Sequence, residues 1–172
     1  MVEKSLKDQL IQIGAIRFGN FTLASGKKSD VYIDIKMAMT HPEILKSIAV
    51  SVMDQKLEWD VVAGVAVGGV PLAVASSLES GRPYVIIRKE QKTHGLSSLI
   101  IGDVKGKRVV MIEDVTTSGG SALFGVDQIR QAGGVITDII SVVDRGEGAE
   151  ETLSNAGIKL TSLVSKSDLV QK

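Results

Sequence analysis

The chain has 172 residues, with 20 basic and 20 acidic side chains, 44% hydrophobic residues and only 3% aromatic residues. That length suits one domain with a mainly aliphatic core, and the balanced charge argues against bulk binding to nucleic acid or an anionic membrane surface. With no cysteine, disulfides and thiolate metal sites are excluded; the charged start has no apolar signal region and no apolar run spans a bilayer, so a cytoplasmic protein is expected.

Leu6, Leu10, Ile11 and Ile13 place an apolar stripe on an opening helix that stops near Gly14. From Ile16 to Gly26, the Gly19-Asn20 pair is a turn signal between short strands or hairpin arms. Val31 to Ile35 alternates as a half-buried strand does. His41-Pro42-Glu43 starts a helix carrying Ile44, Leu45, Ile48 and Val52, with proline near its start as expected. A strand–helix rhythm then takes over. Strands are expected at Val61–Ala66, Tyr84–Ile87, Val109–Ile112, Val135–Val143 and Ile158–Val164, with helices at Pro71–Leu78, Ser121–Ala132 and Glu147–Asn155. Such alternation predicts an α/β fold with a mainly parallel sheet flanked by helices. The first residues, about 1–37, do not fit the rhythm and are expected to form a helix and small cap over the same single domain. The stretch from about 88 to 107 shows no clear element. A long loop in a compact domain is often a lid, and Leu99-Ile100-Ile101 suggests that part of it pairs as a β-flap.

The most informative run is Val109 to Ser121, VVMIEDVTTSGGS. Four apolar residues lead to the acid pair Glu113-Asp114 where the strand should end. A turn of hydroxyls and glycines follows, then the start of a helix. Ligands of open α/β sheets bind beyond the carboxyl ends of the strands, where small residues let backbone N–H groups and a helix N-terminus face an anion. Acids beside a phosphate cradle suit a ligand with a phosphate and either hydroxyls or a metal, such as a sugar phosphate. The run lacks the Gly-Lys-Ser/Thr of a Walker loop and the G-x-G-x-x-G spacing of a dinucleotide fold. In the 88–107 stretch, Arg88, Lys89, Lys92 and His94 gather four potential cations within seven residues.

Glu113 to Ser121 resembles the phosphoribosyl-diphosphate signature of the type I phosphoribosyltransferases. Phe21–Ser29, Arg88–Gly95 and Asp144-Arg145 are similar to stretches of the orotate-using members of that family, and the likeness runs in order from Phe18 to Arg145. The resemblance implies the type I phosphoribosyltransferase fold and transfer of ribose 5-phosphate from phosphoribosyl diphosphate to orotate, in pyrimidine synthesis. It implies that Val115, Thr116, Thr117, Ser118, Gly119, Gly120 and Ser121 surround the 5′-phosphate, with Glu113 and Asp114 on the ribose hydroxyls. The physical reason agrees, since carboxylates accept hydrogen bonds from a diol and favour a cationic ribosyl centre. It implies that Arg88, Lys89, Lys92 and His94 close over the diphosphate, with Lys92 the catalytic cation alongside Glu113 and Asp114. Flap residues shared across a homodimer follow from the same likeness.

Orotate is expected on Arg145, whose planar fork suits a carboxylate, with Thr117, Tyr32 and Lys27 as further contacts. Mg²⁺ is expected as cofactor, held mainly by substrate oxygens. The family often has Tyr-Lys-Gly in the turn after the first core strand; here the lysine position is Gly68. Ala24 and Ile33 replace a lysine and an aromatic residue of bacterial relatives. Lys27 or Lys28 is expected to supply part of the missing charge. The competing expectations are a purine or uracil phosphoribosyltransferase, which Arg145 and the cap argue against, and a non-catalytic phosphoribosyl-diphosphate sensor. The latter usually carries a DNA-binding segment, for which the chain before the cap leaves no room.

Overall fold

The computed structural model describes residues 4–23, 26–90 and 98–169. A six-stranded sheet, ordered β5-β4-β3-β6-β7-β8, forms the body. Its strands are β3 (Val61–Val65), β4 (Tyr84–Ile87), β5 (Ile100–Ile101), β6 (Arg108–Thr116), β7 (Val135–Asp144) and β8 (Lys159–Ser165). All pairings are parallel except β4 with β5, which is antiparallel. Helices α1 (Leu6–Gln12), α2 (Ile35–Ala38), α3 (Pro42–Met53), α4 (Gly69–Ser80), α5 (Gly120–Gln131) and α6 (Ala149–Asn155) accompany it. The expected α/β architecture is therefore present. A two-stranded antiparallel hairpin, β1 (Ile16–Thr22) and β2 (Lys28–Ile33), makes the cap.

Strand alternation divides the core between the two faces of the sheet. Val62, Val110 and Ile112 meet Leu10, Ile35, Ile48 and Leu72 on one face, whereas Val61, Val109 and Met111 meet Val126, Ile129 and Leu153 on the other. Met111, Ile112, Ile139 and Ile140 have no exposed surface, and each such side chain contributes about 2 kcal/mol by leaving water. Continuous apolar runs in β3 and in the first half of β6 are what burial on both faces requires.

Three expected boundaries shift, each for a local reason. Gly19-Asn20 is not the hairpin turn. It lies within β1, where the register shifts between Phe18 and Phe21 as a bulge. The chain reverses instead at Leu23–Lys27, where the Leu23 N–H donates to the Lys27 carbonyl (2.9 Å) and Gly26 takes a φ of +80°. The strand expected through Ile35 stops at Ile33, because the Asp34 carboxylate accepts the Met37 N–H (2.9 Å) and caps α2. β6 runs past Ile112 through both acids to Thr116. β7 keeps pairing it as far as Thr116 opposite Asp144, whereas β3 pairs it only to Ile112 opposite Gly64. The acid pair is thus part of the strand, with one backbone edge left free.

Of the 88–107 stretch, residues 91–97 lie outside the described residues. The part beyond them joins the body: Ile100–Ile101 pair with Ile86–Ile87 as the expected hairpin arm, and Val104 is buried in the core.

The strand order places the site. From β3 the chain moves outward to β4 and β5, then crosses to β6 on the other side of β3. The order reverses between β3 and β6, and a crevice opens at such a switch point beyond the carboxyl ends of the strands.

Candidate active site

Two turns and an acid pair meet at that crevice. The turn after β3 is Ala66-Val67-Gly68, leading into α4. Gly64 and Gly69 are packed so closely that a Cβ on Gly64 would overlap the Gly69 carbonyl. Gly68 is buried against the Asp114 carboxylate; a Cβ there would lie 2.5 Å from Cγ of Asp114 and 2.6 Å from Oδ1. The glycine thus brings backbone, and no side chain, against the acid.

Glu113 and Asp114 are 5% and 7% exposed, among the few buried charged residues. Asp114 accepts a hydrogen bond from the Lys36 ammonium at 2.5 Å. Glu113 Oε1 is buried with no partner among the described residues. Burial, then the neighbouring charge of Asp114, push the Glu113 carboxyl up from 4.5 to about 7, against the opposing pull of Lys89 and Lys36.

The raised value predicts a pH signature of stability. Between pH 4.5 and about 7 the folded chain holds a proton on Glu113 that the unfolded chain has released, so the Glu113 contribution falls as pH rises through that window and levels off above it. Glu113→Gln removes the titration. The stability of Glu113→Gln minus that of the parent should therefore move in the variant's favour by about 3 kcal/mol across the window. Denaturant midpoints of both proteins against pH check this; a difference flat in pH would rule out the raised value.

Beyond Thr116 the chain makes the hydroxyl and glycine turn. Thr117 and Ser118 are exposed, and Gly119 is the N-cap of α5 with φ +86°. No side chain caps α5, so the N–H groups of its first turn are free for a ligand. A Cβ on Gly119 would come within 3.1 Å of the Ala149 backbone, so this turn also needs its glycine for space. Thr116 faces inward: its hydroxyl is buried and donates to Asp144 Oδ1 at 2.8 Å. Val115 packs against the core on the cap side of the sheet. The part of the run open to an anion is therefore Thr117 to Ser121.

The loop after β7 shares a frame with this turn. The Arg145 N–H donates to the Thr116 carbonyl, and the Ala149 N–H to the Thr117 carbonyl, both at 3.0 Å. The Arg145 guanidinium donates to Glu147 Oε1 (3.0 Å) and reaches Ser29 Oγ of the cap (3.5 Å). Between cap and body lies a cleft of ≈ 690 Å³ lined by residues that include Phe21, Leu23, Lys27, Ser29, Arg145, Glu147 and Lys166. Lys27 and Arg145 are brought together there as lining residues. The acid pair does not line this cleft; it belongs to the neighbouring crevice, linked to it through the Thr116–Arg145 backbone bond. Tyr32 is not among the cleft residues. Its ring stacks with Phe21 (5.6 Å) and lies under Arg17 (4.6 Å), while Val31 and Ile33 line the cleft. Lys28 donates to Thr22 across the hairpin (2.7 Å).

At the base of the 88–107 stretch, Arg88 donates from Nη2 to the Ser98 carbonyl (2.9 Å), and its buried Nε has no partner among the described residues. Lys89 is exposed and close enough to act on Glu113. Lys92 and His94 lie outside the described residues. Sequence reasoning missed Lys36 and Lys166. The only local signal for Lys36 was the Asp34 cap that starts its helix; its partner lies 78 residues further on.

An anion turn on a helix N-terminus and two carboxylates beside it thus stand at the switch point, with an arginine in the adjoining cleft. The profile of the phosphoribosyl transferase domain matches residues 36–161, a span that includes all of them, so the chain belongs to the phosphoribosyltransferases. An orotate phosphoribosyltransferase of Methanospirillum hungatei is 65% identical over 170 residues, covering 99% of each chain. The crystal structure of orotate phosphoribosyltransferase from Aeropyrum pernix superposes with a TM-score of 0.84 at 34% identity, over 95% of both chains. The Mycobacterium tuberculosis enzyme in complex with 5-phospho-α-D-ribosyl 1-diphosphate gives 0.80 at 30% identity, over 95% of this chain and 96% of that one. The chain belongs to the orotate phosphoribosyltransferase family.

Proposed function

We propose that the protein transfers ribose 5-phosphate from 5-phospho-α-D-ribose 1-diphosphate to orotate, giving orotidine 5′-monophosphate and diphosphate in pyrimidine synthesis. The observation that carries this reading is the joining of two half-sites: the acid pair and anion turn of β6–α5, and the Arg145 cleft under the cap, tied together by the backbone bonds from Arg145 and Ala149. The likeness to a relative whose structure holds the same donor supports it.

In this reading Thr117 to Ser121 take the 5′-phosphate on free N–H groups and hydroxyls. Glu113 and Asp114 accept the ribose 2′- and 3′-hydroxyls. Arg145 takes the orotate carboxylate, with Lys27 and Thr117 near the base. Tyr32, turned toward Phe21 and Arg17, serves by stiffening the hairpin that carries the cleft residues. A ring nitrogen of orotate, which gives up its proton to solvent or to the departing diphosphate, then forms its bond to the anomeric carbon as the bond from that carbon to diphosphate breaks and diphosphate leaves with the electron pair. The ribosyl centre becomes cationic in the transition state, and the two carboxylates beside it favour that charge. Arg88, Lys89, Lys92 and His94 neutralise the diphosphate as it leaves and help to exclude water. No protein nucleophile is required.

Among the described residues no group of three His, Asp or Glu side chains is arranged to hold a metal ion. Two adjacent carboxylates, one with an unpartnered oxygen, fit Mg²⁺ bound chiefly by substrate oxygens. When bound there, Mg²⁺ supplies charge neutralisation to the diphosphate. The proposal includes a homodimer in which flap residues complete the partner's site, and a cytoplasmic enzyme; among the described residues no helix is long and apolar enough to cross a membrane.

The test is diphosphate release from phosphoribosyl diphosphate and Mg²⁺ with orotate, uracil, hypoxanthine or adenine. Release with orotate alone is expected. Release only with another base overturns the acceptor, and release with none overturns the catalytic reading.

A further inference from the structure

We propose that Lys36 is a positioning residue for phosphoribosyl diphosphate: its ammonium orients the Asp114 carboxylate toward the ribose and brings to the crevice the positive charge that Gly68 has no side chain to provide. This rests on the reading of the crevice as the donor site.

The walls of the Asp114 carboxylate carry the argument. On one side stands the backbone of Gly68, so close that a Cβ would overlap the carboxylate. No cation can therefore reach Asp114 from a side chain at position 68. Lys36 arrives from the cap side of the sheet and donates to Asp114 Oδ2 at 2.5 Å. Between wall and ammonium the carboxylate has its orientation set.

Lys36 is also held for the task. It sits on α2, a single turn capped by Asp34 and anchored by the buried Ile35 and Ala38. Its backbone is therefore fixed while its side chain is 65% exposed, against 10% for that of Asp114. An ion pair with so exposed a partner contributes little to stability, so anchoring the fold does not account for its placement. The ammonium has three N–H donors. One is used by Asp114, and no other partner appears among the described residues. The remaining donors are available to oxygens of an entering ligand. A diphosphate approaching Glu113 and Asp114 would otherwise meet two carboxylates; Lys36 offsets part of that repulsion, and its charge also opposes the upward push on Glu113.

Steady-state kinetics of the parent, Lys36→Met and Lys36→Arg test the assignment, with calorimetric titration of phosphoribosyl diphosphate and Mg²⁺ without acceptor. Loss of a charge-assisted contact predicts at least about a tenfold rise in KM and Kd for phosphoribosyl diphosphate in Lys36→Met. The KM for orotate should stay within about twofold, because only donor binding loses a contact. Lys36→Arg should recover most of the donor affinity. Unchanged donor affinity in Lys36→Met overturns the inference, as does parallel loss of donor affinity, orotate affinity and melting temperature, which marks a merely structural role. If the parent binds the donor but fails to use orotate, the acceptor reading falls and the calorimetric comparison still decides the role of Lys36.

Discussion

Replacing Arg145 by alanine is expected to cut kcat/KM for orotate by roughly a hundredfold or more, the cost of leaving a carboxylate without its charged partner in a partly desolvated cleft, about 3 kcal/mol. The Arg145 side chain is only 16% exposed, and its guanidinium is steadied by Glu147 at 3.0 Å and by Ser29 of the cap. Its fork is thus set before the substrate arrives, and little ordering is left to oppose binding. Binding of phosphoribosyl diphosphate alone should be nearly unchanged, because the anion turn meets Arg145 only through backbone bonds that alanine retains. Separate donor and acceptor titrations of Arg145→Ala make the comparison. If both affinities fell together, Arg145 would be holding the loop rather than the base.

Gly68→Ala should be nearly as damaging through a different route. The added methyl has no space beside the Asp114 carboxylate, and the obstruction is a short side chain at the end of a strand. Asp114 must swing off Lys36, or the turn after β3 must lift. Either movement displaces the carboxylate proposed to face the ribose, and a misplacement of about 1 Å costs on the order of a hundredfold in rate. The accompanying loss of stability should be about 1–3 kcal/mol, as for other overpacked sites. Non-additivity identifies the cause. On an Asp114→Asn background, already defective, Gly68→Ala should cost much less in kcat/KM than it does alone. A penalty of the same size on both backgrounds would show that the methyl acts elsewhere.

Gly68 also shows where a linear reading stops. In sequence it marks an absent lysine, and the basic pair Lys27-Lys28 looks like the nearest replacement. In the fold Lys27 and Lys28 both line the cleft under the cap, Lys28 also donating to Thr22, and the cation against Asp114 is Lys36. Thr116 is similar. It reads as one more hydroxyl of a phosphate turn, but β7 continues pairing to Asp144 and draws Thr116 inward, where its hydroxyl meets that acid. Tyr32 reads as a residue near the base, whereas in the fold its ring lies against Phe21 and under Arg17 and its neighbours Val31 and Ile33 line the cleft.

The features determined by the chain itself are those encoded within a few neighbouring residues. Runs such as Val61–Val65 and Val109–Ile112 are apolar enough to be buried on both faces. Tyr84–Ile87 has the same limits in the structure as in the sequence reading. The glycines and hydroxyls after Asp114 leave the N-terminus of α5 without a side-chain cap. These follow from propensity, periodicity and backbone sterics, which act locally. Only the tertiary structure decided how far β6 extends, which face each acid takes, that Gly68 closes on Asp114, and that Lys36 reaches it from the cap. Each depends on a neighbour brought close by the crossover between β3 and β6, and the identity of that neighbour is not written in the spacing of the residues it meets.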